Sequence, residues 1–276
     1  MSVFSRERIE WKTPEQVLLM RRAGLLTAAA LEAVRSALRP GVTTADLDAV
    51  AAAVIRDGGG EPSFLGYHGY PATLCVSVNE VVVHGIPGSR VVAEGDVVSV
   101  DCGAIVGGWH GDSAFTAIVG EPLQDADAEL VEITRGALWA GIAALDGRGR
   151  LGDVGAAVED AVGGRLGIVD GYTGHGIGTA MHQAPEVLNY RVRERGPRVK
   201  PGLCVAVEPM CTRGSEDTEV LADDWTVVTA DGSRAAHWEH TVAVLEDGLW
   251  VLTAPDGGAA ELAARGVRIA SLAGAG

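Results

Sequence analysis

Two strand-like segments of the sequence end in a carboxylate and share one pattern. EGDVVSVD ends at Asp101 and PGLCVAVE ends at Glu208, and each acid follows a turn glycine by six residues. A second acid follows each segment, Asp112 in HGDSAFTAIV and Glu239 in WEHTVAVLEDG. A carboxylate among valines and alanines is costly unless it is paired or protonated. The repeated pattern predicts two copies of one supersecondary unit, each presenting a pair of acids.

Four carboxylates of this kind favour metal binding if the two halves pack face to face. Ionised carboxylates in one place repel one another, and no Arg or Lys stands close to them in the sequence. Two divalent cations would neutralise the set, and paired cations are common in hydrolytic sites. Oxygen donors with one imidazole suit Mn(II), Fe(II) or Co(II) better than a structural zinc. Taken singly, each acid is more often a turn, capping or solvated residue, so the interpretation depends on the set.

The stretch GYTGHGIGTAMH carries two histidines, His175 and His182, seven residues apart. This spacing alone leaves open whether both bind one metal, both pack in the core, or each has a separate role. Glycines alternate around His175 and disfavour a helix, which predicts extended backbone that another segment approaches closely. The chain is expected to turn between the two histidines.

Hydrophobic periodicity and breaker residues predict a mixed sequence of helices and strands. Thr13, Pro14 and Gln16 form a capping pattern that begins the first helix. Helices are predicted over 13–38, 44–56, 125–145 and 151–162, and strands over 74–78, 97–101, 114–119, 203–208, 225–229 and 240–245. We expect a single catalytic domain over 1–276, with an N-terminal extension at 1–12 and a C-terminal tail from Gly257 that is either a short helix or disordered.

Composition limits the partners of the chain. A formal charge of −15 disfavours a general nucleic-acid face or an anionic membrane surface. The charged N-terminus does not resemble a secretion signal, and no segment is long and apolar enough to span a membrane. The four cysteines contain no CxxC pair and are typical of reduced thiols. We therefore expect a cytoplasmic protein, working as a monomer.

The motifs together resemble the type I methionine aminopeptidases. Asp101 and Asp112 stand eleven residues apart, GHGIG carries His175, VEPM carries Glu208 and EHT carries Glu239. The segment GYHGYPATLCVSVNEVVVHGIP is also similar to the substrate side of that family. The likeness runs in order over residues 7–252 and implies the pseudo-twofold pita-bread fold, of the α/β (α+β) class, with antiparallel sheets and helices around a di-metal site.

The resemblance also implies residue roles. It implies two divalent ions, Co²⁺, Mn²⁺, Fe²⁺ or Zn²⁺, with a hydroxide between them as nucleophile. The implied metal ligands are Asp101, Asp112, His175, Glu208 and Glu239, with Asp112 and Glu239 bridging. Glu208 would also transfer a proton, while His84 and His182 would contact the substrate and the tetrahedral intermediate. The implied methionine pocket comprises Tyr67, Tyr70, Cys75, Met181 and Trp225, with Phe64 at its rim.

This sequence departs from the family pattern at two pocket positions. Met181 stands where bacterial relatives commonly have an aromatic residue, and Phe64 stands where they often have a small one. Tyr, Trp, Met and Cys side chains give a polarizable surface that suits a thioether. The departures concern the fine shape of the pocket and leave the reaction unchanged.

The sequence disfavours three alternative functions. A proline-specific exopeptidase of the same fold usually carries a domain before the catalytic one, and here the first helix begins at about Thr13. A catalytically dead binding module typically lacks metal ligands, whereas all five are present. A di-metal phosphatase needs phosphate-binding Arg or Lys or a glycine-rich phosphate loop, and none is apparent.

The resemblance implies nascent polypeptide N-termini as substrates and the ribosome as a partner. A basic cluster, RVRERGPRVK at residues 191–200, is the candidate ribosome contact. Such a cluster is more often a solvated loop. We expect no sequence-specific nucleic-acid binding.

Overall fold

The computed structural model describes residues 8–270, which form a mixed α/β structure. In this part of the chain the helices are α1 (Pro14–Ala37), α2 (Thr44–Asp57), α3 (Asp125–Ala144), α4 (Gly152–Val162) and α5 (Ala259–Ala264), with a 3₁₀ turn at Tyr67–Gly69. No helix within residues 8–270 is long and apolar enough to cross a membrane.

The strands form one large sheet and two small ones. They are β1 (Glu61–Pro62), β2 (Leu74–Val78), β3 (Val81–Val83), β4 (Val97–Val106), β5 (Trp109–Ile118), β6 (Gly167–Ile168), β7 (Gly174–Gly176), β8 (Gln183–Val187), β9 (Cys204–Val207), β10 (Met210–Thr212), β11 (Thr218–Val220), β12 (Val227–Thr229), β13 (Ala235–His237), β14 (Glu239–Leu245) and β15 (Gly248–Val251). The large sheet has the order β1-β4-β5-β14-β9-β7-β8, with β2 on β4 and β15 on β14. The small sheets are β13-β10-β6 and β11-β12-β3.

The two halves meet edge to edge within the large sheet, whereas the metal hypothesis assumed that they pack face to face. Strand β5 of the first half pairs antiparallel with β14 of the second through Ala114 opposite Glu239 and Ser113 opposite His240. The Ser113 hydroxyl donates to the Glu239 carbonyl at 2.7 Å, and Thr241 Oγ1 donates to the Asp112 carbonyl at 2.8 Å. Face-to-face packing is therefore wrong, although the seam still brings the two pairs of acids together.

Helices cover the sheet with two separate apolar clusters. Helices α1 and α2 pack over the first half around residues such as Leu47, Ile55 and Val100. Helices α3 and α4 pack over the second half around residues such as Leu138 and Val205. Because each half has its own apolar core, the large sheet is held rigidly on both sides of the β5–β14 junction, where the site lies.

The predicted first helix is confirmed. Its N-cap is Thr13, whose side chain accepts from the Gln16 amide at 3.4 Å, while the Gln16 side chain accepts from the Thr13 amide at 2.9 Å. This is the capping box that the sequence indicated.

Strands β4 and β5 are longer than predicted because they form one continuous hairpin. The sequence predicted strands over 97–101 and 114–119, whereas pairing extends to Val106 opposite Trp109. Gly107 and Gly108 connect them with φ of 59° and 81°, the left-handed region that two-residue hairpin turns require. Glycines and polar residues around the turn masked the strand pattern in the sequence.

The terminal predictions are tested only in part by the described residues. The tail contains the short helix α5, and Ile269 forms a parallel bridge with Leu249. Residues 1–7 and 271–276 lie outside the described residues. The assignment of 1–276 to a single catalytic domain with terminal extensions stays a prediction.

Candidate metal centre and adjoining cavity

Sheet register brings the four acids into one row across the seam. Asp101 on β4 lies opposite Ala114 on β5, and Ala114 lies opposite Glu239 on β14. Glu208 directly follows β9. The last residue of β9, Val207, lies opposite His240 on β14, so Glu208 lies close to Glu239. Asp112 stands two residues from Ala114, on the same face of β5. Antiparallel pairing thus turns four acids from distant segments into neighbours.

Each of the four acids has a buried oxygen that no protein donor satisfies. The exposed fractions are 3% for Asp112, 9% for Glu208 and 2% for Glu239. Asp101 Oδ1, Asp112 Oδ1, Glu208 Oε1 and Glu239 Oε1 are buried without a hydrogen-bond partner. The described residues that line this site include no Arg or Lys. Buried acceptors in this state need a cation or a proton.

Burial raises the pKa values of all four acids, and repulsion from neighbouring acids raises those of Asp112, Glu208 and Glu239 further. Burial raises the pKa of Asp101 to about 7, even though a hydrogen bond with Asp112 opposes the change. Burial and the nearby Asp101 raise the pKa of Glu208 well above its usual value. The pKa values of Asp112 and Glu239 are likewise raised well above the usual range, by burial and then by the other acids. A divalent cation would favour the ionised forms.

His175 supplies the imidazole of the site. It lies on β7, and its Nε2 atom is 3.4 Å from Glu208 Oε1. Burial and the neighbouring His182 lower its pKa to about 3, so the ring is neutral at pH 7. A proton on Nδ1, donated to the Gly176 carbonyl at 3.0 Å, leaves the Nε2 lone pair facing the acids. Ligand atoms of Asp112, His175 and Glu239 lie within 4.8 Å of one another, so these residues could hold one ion.

Close packing explains the glycines around His175. A Cβ at Gly174 would lie 2.4 Å from the Ala206 carbonyl oxygen, and one at Gly176 would lie 2.2 Å from that of Ala184. Glycine therefore lets the neighbouring strands approach β7 closely. The sequence prediction of extended, closely approached backbone is confirmed.

A cavity of about 280 Å³ opens beside the acids. All thirteen site residues named from the sequence line it: Phe64, Tyr67, Tyr70, Cys75, His84, Asp101, Asp112, His175, Met181, His182, Glu208, Trp225 and Glu239. The structure thus brings the complete sequence-derived set together.

Aromatic and sulfur-containing side chains form the apolar side of the cavity. The Tyr70 hydroxyl donates to the Leu74 and Gly85 carbonyls at 2.9 and 3.2 Å, which fixes its ring. Trp225 lies edge-on to Tyr70, with ring centroids 5.0 Å apart. Met181 and Cys75 are buried beside them, with exposed fractions of 3% and 5%. This surface can hold a slender apolar side chain next to the acids.

Two further histidines flank the cavity and differ in exposure. His182 is exposed, and its Nδ1 is 2.8 Å from the Tyr67 hydroxyl. Its ring centroid lies 4.3 Å from that of His175. His84 has φ of 58°, a conformation that is uncommon outside glycine and is concentrated at functional sites. Burial, with a smaller effect of His182, lowers the pKa of His84 to about 4.

The sequence analysis missed His237. It is 2% exposed, lines the cavity, and has its Nε2 atom 3.8 Å from Glu208 Oε2. Burial, with a smaller effect of His84, lowers its pKa to about 3. No strand pattern indicated it, because His237 ends β13 and Glu239 begins β14, in two different sheets.

Comparison with known proteins identifies the family. The model of metallopeptidase family M24 matches residues 18–246. A methionine aminopeptidase 1 of Mycobacterium tuberculosis is 54% identical over 242 residues, which cover 85% of this chain and 91% of the relative. The chain belongs to metallopeptidase family M24, among the methionine aminopeptidases. A methionine aminopeptidase 1 of Bacillus subtilis is 43% identical to this M24 chain over 88% of it and 98% of the relative.

Solved structures agree with the M24 assignment. The methionine aminopeptidase of Thermotoga maritima superposes with a TM-score of 0.87 at 40% identity, covering 89% of this M24 chain and 99% of that one. A prolidase of Pyrococcus furiosus, at 19% identity, shares the fold alone, with a TM-score of 0.71 over 89% of this chain and 65% of that one. The prediction of the pita-bread fold is confirmed.

Proposed function

We propose that this M24 enzyme removes the N-terminal methionine of nascent polypeptides when the second residue is small. The observation that carries the proposal is the row of four acids, each with a buried oxygen that has no protein donor, lying with His175 beside a cavity lined by aromatic and sulfur-containing side chains. The acids suit a metal-dependent hydrolase, and the cavity suits a thioether side chain.

Five residues would hold two divalent ions: Asp101, Asp112, His175, Glu208 and Glu239. Two dications balance the charge of four ionised carboxylates, and the oxygen-rich donor set suits Mn(II), Fe(II), Co(II) or Zn(II). Asp112 and Glu239 lie near the middle of the row, which supports their role as the ligands shared by both ions. When bound, the ions lower the pKa of a water molecule and polarise the carbonyl group of the substrate.

The apolar side of the cavity would hold the methionine side chain. Tyr70 and Trp225 form a fixed edge-to-face pair, and Met181 and Cys75 add sulfur contacts. Phe64 is buried against the same group. With the methionine side chain held there, the first peptide bond would lie beside the acids, because the acids line another part of the same cavity.

Glu208 and two histidines would complete the reaction. Glu208 can accept and return a proton, because burial holds its pKa well above the usual range. When the Tyr67 hydroxyl donates to His182 Nδ1, the His182 proton lies on Nε2 and is available to the carbonyl oxygen of the scissile bond. His84 lies across the same cavity and would make a second substrate contact.

A series of short peptides tests the proposed activity. With Co(II) or Mn(II) added, the protein is expected to release free methionine from Met-Ala-Ser and Met-Gly-Ser far faster than from Met-Leu-Ser. The reasons are the likeness to the methionine aminopeptidases and the closely packed, glycine-rich backbone that carries His175 beside the cavity. Free methionine is measured by chromatography.

The controls separate the alternative functions. Addition of a chelator is expected to stop release, and Ala-Pro-Ser is expected to remain intact. Cleavage of Ala-Pro-Ser instead would indicate a proline-specific enzyme, and no cleavage at all would indicate a binding module. Comparable turnover of Met-Leu-Ser would contradict the preference for a small second residue.

We further infer a ribosome contact through the basic cluster at residues 191–200. Within it, Arg191 forms an ion pair with Asp160 at 2.6 Å and Arg195 one with Asp153 at 2.7 Å. Both arginines are therefore partly neutralised by helix α4. In the described part of the chain, Arg193 and Arg198 are exposed and form no ion pair, so they are the better candidates to contact RNA phosphates.

Charge reversal tests this contact. The double variant Arg193→Glu/Arg198→Glu is expected to lose low-salt co-sedimentation with ribosomes, because phosphate contacts depend on charge and salt. Peptide cleavage should be unchanged, since both residues lie outside the cavity. If co-sedimentation also survives reversal of Arg191 and Arg195, the cluster is a solvated loop.

A further inference from the structure

Residues 178–183 form a loop at the mouth of the cavity. The loop begins after β7, which carries His175, and ends at the first residue of β8. It carries both Met181, which is buried in the cavity, and His182, which is exposed at its mouth. A loop of this composition needs contacts from elsewhere to hold one conformation.

Lys12, just before α1, lies against this loop. Its side chain is only 1% exposed, which is rare for a lysine unless it is paired. Its Nζ donates to Gln183 Oε1 at 3.2 Å and lies 3.4 Å from Glu10 Oε2. Desolvating an ammonium group is costly, so removing its partners would not be neutral. Lys12 therefore holds the β8 end of the loop.

Glu10 contacts the start of the loop. Its Oε2 accepts from the Thr179 amide at 3.3 Å, and its Oε1 accepts from the Thr179 hydroxyl at 3.0 Å. Gln183 Nε2 donates to the same hydroxyl at 3.3 Å, which connects the two ends of the loop. Gly178 packs directly beneath, since a Cβ there would lie 2.4 Å from Glu10 Oε2 and 2.5 Å from Lys12 Cε.

The segment that carries Glu10 and Lys12 is itself fixed. The Lys12 amide donates to the Gly202 carbonyl at 2.8 Å, immediately before β9. Thr13 then caps helix α1. On the other side of the loop, the Gly178 carbonyl accepts from the His110 amide at 2.9 Å, next to Asp112 on β5. The loop is thus held between the N-terminal segment and the sheet that carries the acids.

We propose that Glu10 and Lys12 are positioning residues for the reaction. They hold the 178–183 loop in one conformation, and this fixes His182 and Met181 at the mouth of the cavity. The proposal rests on the proposed role of His182 and extends it to a segment that precedes residues 18–246, the range matched by the family model.

Three variants test the proposal. Lys12→Met keeps the apolar stem and removes the ammonium group, and Glu10→Gln removes charge with little change in shape. Arg22→Met is the control, because Arg22 is an exposed cationic residue on α1, close in sequence to the same segment. The measurements are amide hydrogen exchange of residues 178–183, kcat and KM for Met-Ala-Ser at saturating Mn(II), and Mn(II) affinity by calorimetry.

We expect the first two variants to exchange faster in the loop and to lose about 10- to 100-fold in kcat, as small displacements of positioned groups do. Mn(II) affinity should be unchanged, because the proposed ligands lie on strands or directly after one. Lys12→Arg should restore part of the kcat, and Arg22→Met should match the unaltered protein.

Unchanged loop exchange in both Lys12→Met and Glu10→Gln would overturn the proposal, as would unchanged kcat with a loosened loop. An equal kcat loss in Arg22→Met would also overturn it. Failure of the proposed function is distinguishable, because the unaltered protein would then release no methionine.

Discussion

Replacement of Asp112 by asparagine is expected to lower kcat/KM for Met-Ala-Ser by about 1,000-fold. Stabilisation of a reacting carbonyl by metal ions contributes several kcal/mol, and each ~1.4 kcal/mol corresponds to a tenfold rate change. Asp112 stands in the middle of the four-acid row and has a buried oxygen without a protein donor. An amide there has one acceptor in place of a charged carboxylate, so both ions would be held more weakly.

The same substitution is expected to raise the thermal stability of the metal-free protein. Burial and the charges of Asp101 and Glu208 raise the pKa of Asp112 well above its usual value, so its ionised form opposes folding. An acid whose pKa is higher in the folded than in the unfolded protein does not lower the free energy of unfolding at low pH. It lowers that free energy as the pH rises toward the folded-state pKa. The gain should therefore be larger at pH 8 than at pH 5. A change of about 1 kcal/mol corresponds to about 2–4 °C in domains near this size.

Calorimetric melting with a chelator, alongside steady-state kinetics, measures both effects. Asp57→Asn is the control, because its side chain is 72% exposed and its ion pair with Arg56 lies at the surface. Full activity of Asp112→Asn at low metal concentration would contradict the bridging role. A lower melting temperature of the metal-free variant would contradict the repulsion argument.

Alanine at His182 and alanine at His175 are expected to give different defects. His182→Ala should reduce kcat by about 100- to 1,000-fold, the usual loss for one donor to a developing oxyanion. Its metal affinity should be preserved, because His182 Nδ1 faces the Tyr67 hydroxyl. His175→Ala should instead lower metal affinity, and excess metal should restore part of its activity, since the Nε2 atom of His175 faces Glu208.

Metal titration by calorimetry with kinetics on both variants separates these outcomes. Tyr67→Phe provides a graded comparison, because it removes the hydroxyl next to His182 Nδ1 and leaves both imidazoles in place. It should reduce kcat less than His182→Ala does. If His182→Ala loses metal as severely as His175→Ala, the two histidines are equivalent ligands and the assigned roles are wrong.

The acids and His175 could be predicted because their signals are local, whereas the pocket residues and the flanking histidines were implied by the family resemblance. Asp101 and Glu208 each end an apolar strand after a turn glycine, and glycines around His175 indicate close backbone approach. The first helix was equally predictable, because the capping box that begins it, Thr13 with Gln16, lies within four consecutive residues. In each case the physical cause lies within a few residues of the group it determines.

Other features depend on contacts between distant segments. Ala114 lies opposite Glu239 at the seam in a register that no short stretch of sequence encodes, so the edge-to-edge pairing of the halves could not be predicted. Lys12 before a helix cap is typical of a solvated lysine, and its burial follows from Gln183, 171 residues later. His237 was missed because its neighbour Glu208 comes from a different strand.

The strand order β4-β5-β14-β9 makes the site a property of the junction between the halves. Each half contributes one pair of acids, Asp101 with Asp112 and Glu208 with Glu239, and neither pair alone balances two dications. Because the pairing of β5 with β14 alone sets the register between the two pairs, a change inside one half leaves the acids of the other half in place, whereas a change at the seam displaces both pairs at once.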